Sequence, residues 1–250
     1  MRVCVTGNFG FIGGELVKAL KLLEELDPKY EILCIDDINK MNPYNDLEWF
    51  YDYKLMIEYK NYKILKEVDF IFHLGANSST RATKQELFDT NYMFPLQLLD
   101  FAYTNNIPVV FASSASVYGA RRDGNKLKPQ TPYAEFKAII EKSIELPLHL
   151  NIPLGKAISL RFHNVYGATE THKGNMASIV CKWIDNHFAG INTNDLFNDS
   201  DKILRDFVHI NDVVTSLICM LDYYKKNKSL PHFYTLDIGT GNAVSFEQVA

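Results

Sequence analysis

Tyr133 and Lys137 stand four residues apart in the run Tyr133-Ala134-Glu135-Phe136-Lys137, the spacing that puts a phenol and an ammonium on one face of a helix. Pro132 just ahead suits a helix start, and Ala134, Glu135 and Ala138 are good helix formers. A cation beside a phenol favours the phenolate, drawing its pKa down from about 10 toward the working pH of a general base. The same spacing arises on solvated helices with no chemistry. The pair becomes a site only if other elements bring it a cofactor and a substrate.

Such elements begin at the N-terminus. Arg2-Val3-Cys4-Val5-Thr6 reads as a strand and runs into Gly7-Asn8-Phe9-Gly10-Phe11-Ile12-Gly13, after which Leu16, Val17, Leu20 and Leu23 recur at helical spacing. In a strand-turn-helix of this kind, Gly7 would permit a tight turn and Gly10 would let the backbone approach a pyrophosphate. Gly13 would let the helix pack closely on its strand, with the phosphate at the positive helix end. The spacing is G-x-x-G-x-x-G rather than G-x-G-x-x-G, and glycines also serve as plain turn formers. A second strand, Glu31 to Ile35, leads into Asp36 and Asp37, roughly 20 positions past the glycines, where a ribose-binding carboxylate belongs. A helix cap or loop carboxylate is the simpler use of such an acid.

The rest of the chain alternates. Val68 to His73, Pro108 to Ala112 and Lys156 to Arg161 read as strands, and Tyr133 to about Glu145 as a helix. A helical segment from Glu86 to Asn105 is interrupted by Pro95. This predicts an α/β fold, a Rossmann-type doubly wound parallel sheet with a smaller C-terminal substrate-binding lobe. Residues 1–165 would form the dinucleotide-binding domain and 166–250 the lobe. In such sheets ligands bind beyond the carboxyl ends of the strands. There lie Gly75-Ala76-Asn77-Ser78-Ser79-Thr80 and Ser113-Ser114-Ala115-Ser116-Val117-Tyr118-Gly119, small polar residues that make turns but also let a cofactor lie close. Ser114 could hold a substrate alcohol while Tyr133 takes its proton.

With 250 residues, 47% hydrophobic and 22% charged, the chain can bury a large core. A net charge of −4 and a pI near 6.0 give no basic footprint for nucleic acid or an anionic membrane. Lys225-Lys226-Asn227-Lys228, the densest basic run, reads as a solvated helix end. Met1-Arg2 leads straight into the first strand, and no apolar run approaches a membrane span, so a cytoplasmic protein is expected. Cys4, Cys34, Cys181 and Cys219 are scattered without metal-ligand spacing, and the seven histidines show no zinc pattern. No metal is expected.

Gly7-x-x-Gly10-x-x-Gly13, Ser114 ahead of Val117-Tyr118-Gly119, and Tyr133-x-x-x-Lys137 together resemble the extended short-chain dehydrogenase/reductase superfamily, whose members act mostly on nucleotide sugars. The resemblance covers almost the whole chain. It implies Ser114, Tyr133 and Lys137 as catalytic residues: Tyr the base, Lys lowering its pKa and binding the nicotinamide ribose, Ser orienting the reacting hydroxyl. It further implies cofactor contacts from Gly7, Gly10, Phe11, Ile12, Gly13, Asp36 and Asp37. Leu74, Gly75, Ala76, Asn77, Ser78, Asn91 and Val165 would add to these, beside Tyr133 and Lys137. Homo-oligomers are the expected assembly.

The second half narrows the resemblance. Arg161-Phe162-His163-Asn164-Val165-Tyr166-Gly167 is similar to the family's junction with the substrate lobe, where Asn164 would meet the sugar nucleotide. His172-Lys173-Gly174-Asn175-Met176-Ala177-Ser178 resembles the loop of the ADP-glycero-manno-heptose 6-epimerases, in which the matching lysine is a second catalytic base that also borders the cofactor. Leu196 to Ser200 and Arg205-Asp206-Phe207-Val208-His209 fit the same subgroup. Phe197, Asn198, Asp199 and Ser200 would line the substrate site, and Arg205 would bind diphosphate or sugar. Lys173 by itself reads equally as a solvated lysine or a phosphate contact.

Departures accompany the match. Asn175 replaces a serine usual in that loop, and Lys182 stands where a histidine is expected, so the sugar or phosphate contacts differ. The subgroup carries a lysine after the ribose acid to meet the 2′-phosphate of NADP, whereas this chain has Asn39-Lys40-Met41-Asn42-Pro43. NADP by resemblance and NAD by the repulsion of two adjacent acids both remain open. Phe233 to Gly241 reads as a strand and turn, and Ser245 to Ala250 as a capped helix just beginning, where family members continue. The lobe is thus expected to be short, by nature or by truncation. The favoured activity is C6 epimerisation of ADP-glycero-manno-heptose. A 4-epimerase or a 4,6-dehydratase is the alternative, although Ser114-Ala115-Ser116 lacks the Thr-Asp-Glu of dehydratases. A non-catalytic cofactor-binding protein would leave the Ser, Tyr and Lys set unexplained.

Overall fold

The structure is a computed structural model that describes residues 1–41, 50–59, 61–120, 123–149, 157–191, 196–230 and 235–250. From the N-terminus come β1 (Arg2–Thr6), α1 (Phe11–Leu26), β2 (Glu31–Asp36), β3 (Tyr51–Asp52), α2 (Tyr53–Tyr59), β4 (Phe70–His73), α3 (Lys84–Leu87), α4 (Phe94–Thr104) and β5 (Val109–Ser114). There follow α5 (Pro132–His149), β6 (Ala157–Phe162), β7 (Asn164–Tyr166), α6 (Ile179–Phe188), β8 (Leu204–His209), α7 (Ile210–Asn227), β9 (Thr235–Ile238), β10 (Ala243–Ser245) and α8 (Phe246–Val249).

Among the described residues, one sheet has the strand order β3-β2-β1-β4-β5-β6-β9 with every pairing parallel. The central strands are apolar at consecutive positions because both faces are covered. Val3, Val5, Phe70, Phe72, Val110 and Ala112 point to the side of α1 and α7, where Leu16, Leu20, Val213, Leu217 and Leu221 meet them. Cys4, Ile71, Val109 and Phe111 point the other way, onto Met56, Leu98, Ala102, Ile140 and Ile144 of α2, α4 and α5. Each fully buried aliphatic or aromatic side chain contributes about 1.5–3 kcal/mol of transfer free energy. The strand order reverses between β1 and β4, opening a crevice at their carboxyl ends.

The expected doubly wound sheet is therefore present. Residues 166–250, expected as a lobe, divide between two places. β8 and β10 join β7 in a small sheet, while β9 and α7 return to the large one. Pro95 does not interrupt the helix around it but sits in the first turn of α4, and a π-helical stretch over Phe88–Met93 precedes it. Lys225 and Lys226 close the last turn of α7. Asn42, Pro43, Lys156, Phe233 and Tyr234, which also entered the sequence reading, lie outside the described residues.

Candidate active site

The glycine-rich turn sits in the crevice. Gly7 has φ +78°, and a Cβ built on it would lie 2.5 Å from the backbone nitrogen of Gly75, so the turn and the loop after β4 touch main chain to main chain. A Cβ on Gly13 would lie 2.0 Å from the Gly7 carbonyl oxygen. Gly10 is exposed and begins the 16-residue α1 without any side-chain cap, and neither Phe11 nor Ile12 after it supplies an acid in the first turn. An uncapped helix end with a glycine in front is the cradle a pyrophosphate fits.

Asp36 ends β2 beside that turn. Its carboxylate accepts from the Phe9 amide at 2.6 Å and from the Asp37 amide at 2.8 Å. Burial pushes its pKa up to about 6 against those two bonds, with the neighbouring Asp37 charge adding to the rise. Asp37 is itself pushed up by burial, but bonds from Lys54 at 2.8 Å and from Asn39 outweigh this and hold it below the usual carboxylate range. These groups fit a dinucleotide: open amides for the pyrophosphate and a carboxylate for the ribose.

The loop after β4 is shaped from beneath. Leu74 and Gly75 are half-buried, whereas Ala76, Asn77 and Ser78 are exposed. Asn91, 2% exposed in the π-helical stretch, accepts from the Asn77 amide and donates to the Asn77 carbonyl, both at 2.9 Å. Its side chain is thus engaged in holding the loop. Thr6 Oγ1 bonds Gly75 N at 3.1 Å and His73 Nδ1 at 2.7 Å. The His73 ring stacks on Phe111, and burial pulls its pKa down to about 3, with Lys137 adding to the fall, so it is a neutral packing residue.

Ser114 is the last residue of β5, and Tyr133 and Lys137 occupy the first turns of α5. Ser114 and Tyr133 are hydrogen-bonded through their side chains. Lys137 is 3% exposed; its Nζ donates to the Ala112 carbonyl at 2.5 Å and lies 4.6 Å from the Phe111 ring and 5.8 Å from the Tyr133 ring. The expectation that Lys137 lowers the Tyr133 pKa is not met. Burial pushes the phenol up to about 12, offset only in part by Ser114. Burial pulls Lys137 down to about 7, opposed by the charge of Glu141. The ammonium is directed at a carbonyl rather than at the phenol oxygen, which the spacing alone does not reveal.

Lys173 lies in a 310 stretch over Ala168–Met176, with Nζ 5.3 Å from the Phe11 ring and 3.4 Å from Glu170. It is therefore beside the glycine-rich turn. Glu170 is fully buried and also receives Ser178 N at 2.8 Å and the Ser178 hydroxyl, fixing the loop that carries Lys173 and Asn175. Asn164 and Val165 lie on β7, paired in register with Phe207 and Val208 of β8. Lys182 is half-buried on α6.

The remaining substrate candidates cluster on the small sheet. Phe197 packs edge-on against Phe246 at 5.0 Å, and the carbonyl of Ser200 accepts from Phe246 N. Asn198 and Asp199 are exposed, Asp199 paired with Lys202, and Arg205 is exposed on β8 opposite Val244. Sequence reasoning missed Glu170, and also Glu141, Arg161 and Asp237, which belong to one network whose Glu141 and Arg161 are buried and whose Asp237 reaches the surface. Glu141 had a visible signal, since it continues the i, i+4 series of Tyr133 and Lys137.

Comparison with known proteins agrees with this fold. The family described as NAD dependent epimerase/dehydratase matches residues 3–235. The chain is 31% identical to the ADP-L-glycero-D-manno-heptose-6-epimerase of Brachyspira hyodysenteriae, covering 99% of this chain and 79% of that protein. The solved ADP-L-glycero-D-manno-heptose-6-epimerase of Helicobacter pylori superposes with a TM-score of 0.75 at 25% identity, over 99% of this chain and 79% of that one. The NAD-dependent NDP-hexosamine 5,6-dehydratase TunA, involved in tunicamycin biosynthesis, superposes with a TM-score of 0.78 at 27% identity, over 100% and 79%.

Proposed function

Because the chain belongs to the NAD-dependent epimerase/dehydratase family, we propose that it is a nucleotide-sugar epimerase that inverts C6 of ADP-glycero-manno-heptose. What supports this reading is the presence of two proton-handling groups on different elements at the carboxyl-end side of the sheet, one beside the end of β5 and one beside the glycine-rich turn. Tyr133 is bonded to Ser114 at the end of β5, and Lys173 lies over Phe11. A dinucleotide would be held by Gly10, the α1 amides and Asp36 and would supply an acceptor and later a donor of hydride. Ser114 orients the C6 hydroxyl toward Tyr133, which takes its proton as the carbon loses hydride. The resulting 6-ketone turns about its C5–C6 bond and is reduced on the other face, where Lys173 supplies the proton. One base would serve only one of the two configurations well.

The decisive assay incubates the protein with ADP-glycero-manno-heptose and follows C6 by NMR. Inversion is expected, and its absence with NAD demonstrably bound would sink the reading. The likeness to TunA favours a second reading, loss of water across C5 and C6. The same spectra would show it as new olefinic signals. Lys173→Ala is expected to slow inversion by about 10²–10⁴ with NAD affinity near wild type. Loss of NAD with full turnover in the remaining loaded enzyme contradicts the second-base role.

The cofactor is proposed to be NAD rather than NADP. Asp36 and Asp37 stand together at the end of β2, where they would face the adenosine ribose, and Lys54 is already paired with Asp37, so a 2′-phosphate would meet the Asp36 carboxylate at close range. The Asp36 carboxylate, with its pKa near 6, accepts ribose hydroxyl bonds when ionised. NAD affinity should therefore hold above about pH 6 and fall as Asp36 takes a proton below it. Fluorescence titration across pH 5 to 8 checks this; a flat profile, or NADP binding as tightly as NAD, counts against it.

A further inference from the structure

A polar network with a buried centre, which the proposed chemistry leaves unused, lies one turn beyond Lys137. Glu141 on α5 is 1% exposed. Arg161 Nε donates to its Oε1 at 3.0 Å, Arg161 Nη2 to its Oε2 at 2.6 Å, and the Ser113 hydroxyl to its Oε1. Arg161, 5% exposed on β6, turns Nη1 to the Tyr118 hydroxyl at 2.8 Å, and Tyr118 donates in turn to Asp237 of β9 at 2.9 Å. His163 Nε2 stands 3.4 Å from the same Asp237 carboxylate.

A buried ion pair gains little over apolar packing, because desolvation offsets most of its attraction. Its placement says more. Ser113 immediately precedes Ser114, and Glu141 follows Tyr133 and Lys137 at i+8 and i+4 on the same helix. We propose that Glu141 is a positioning residue of the redox site, tying the strand end that bears Ser114 to the helix that bears Tyr133 and holding Lys137 as an ammonium through its fixed negative charge. This rests on reading Ser114, Tyr133 and Lys137 as a redox site. It does not depend on which sugar is turned over.

The surroundings of Lys137 support the electrostatic half. Among the described residues no carboxylate lies within ion-pair distance of it, and its own contacts are a carbonyl and two rings. Burial drives it toward neutrality and Glu141 opposes that. The other titratable groups around it are Tyr133 on α5, neutral His73 on β4, and Arg161 on β6 with Tyr118 and Asp237 behind it. On the outer side of α5, Glu135 is paired with Lys84 of α3. Glu141 is the anion of this group that shares the Lys137 face.

The test titrates Lys137 itself, by carbon NMR of lysine-labelled protein with NAD present and no sugar, the resonance being assigned by its loss in Lys137→Arg. In Glu141→Gln the midpoint is expected to fall by about one pH unit or more, a tenfold loss of proton affinity, with the pH profile of hydride transfer moving alongside. In Ser113→Ala, which keeps the charge and removes the strand tie, the midpoint stays and kcat falls several-fold. An unmoved midpoint in folded Glu141→Gln makes Glu141 a mere scaffold and overturns the proposal. Where the Gln variant does not fold, Glu141→Asp decides. It keeps the charge but draws it back on a shorter arm, so the midpoint is expected to fall by less than the shift expected of the Gln variant, and an unmoved midpoint overturns the proposal. Because the titration is read without sugar, a wrong substrate assignment does not affect it.

Discussion

Tyr133→Phe should slow hydride transfer by about 10²–10⁴, the usual worth of a positioned proton acceptor, and leave NAD affinity close to wild type. The phenol is the side chain bonded to Ser114 at the end of β5, so removing its oxygen removes the proton's first destination while keeping the ring's packing. Lys137 does not substitute for it. Its ammonium is held on the Ala112 carbonyl, 5.8 Å from the Tyr133 ring centre. The measurement is single-turnover reduction of bound NAD, read from the nicotinamide absorbance beside an independent binding titration. Hydride transfer at the wild-type rate in Tyr133→Phe would remove Tyr133 from the mechanism. Because burial pushes the phenol up to about 12, the residue is neutral across the working range. Proton transfer is then expected to accompany hydride loss rather than to precede it.

Gly13→Ala is expected to damage both fold and cofactor site. The added methyl would meet the Gly7 carbonyl oxygen at 2.0 Å and its carbon at 2.6 Å, which are backbone atoms with no side chain to swing aside. Overpacking of this kind costs about 1–3 kcal/mol, a fall in Tm of roughly 2–12 °C at 2–4 °C per kcal/mol. The shift needed to relieve it moves the turn that would hold the pyrophosphate, so NAD affinity falls too. Gly10→Ala separates the two effects. Its Cβ meets only the Gly7 oxygen at 3.1 Å, with φ −80°, so stability should change little while the methyl intrudes on the phosphate's approach. Calorimetry and NAD titration on both variants check this. Equal Tm for wild type and Gly13→Ala would mean the turn is looser than its geometry implies.

The parts of the molecule that were legible in the sequence are those set by near neighbours. β1 reads correctly to the residue because a strand covered on both faces is a short unbroken apolar run ended by glycine. The glycine-rich turn and Asp36 are spaced by one strand-helix-strand unit, so their order along the chain is also their order in space. The π-helical stretch before Pro95 was not legible, since a wide helical turn has the same composition as an ordinary one. Nor was the small sheet, whose strands β7 and β10 have three residues each and find partners only through tertiary contact. At the site, spacing correctly put Lys137 on the Tyr133 helix, but not its head on Ala112. That choice depends on how α5 docks against β5. Arg161 looked like a strand residue and Asp237 like part of a strand and turn, with no sign of their roles, because their partners are 20 and 119 positions away.

That last separation has a consequence for the order of assembly. A chain made from its N-terminus can form β1, α1, β2 and β4, and with them the dinucleotide turn, from its first third. The charge network at the end of β5 cannot be completed so early. Arg161 and Tyr118 must wait for Asp237, which arrives on β9, beside β6 and later in the chain than the other described strands of the large sheet. Closing so long a loop is slow even where its free-energy cost is modest. A nascent chain is therefore expected to form the glycine-rich turn before the Arg161–Tyr118–Asp237 contacts can close.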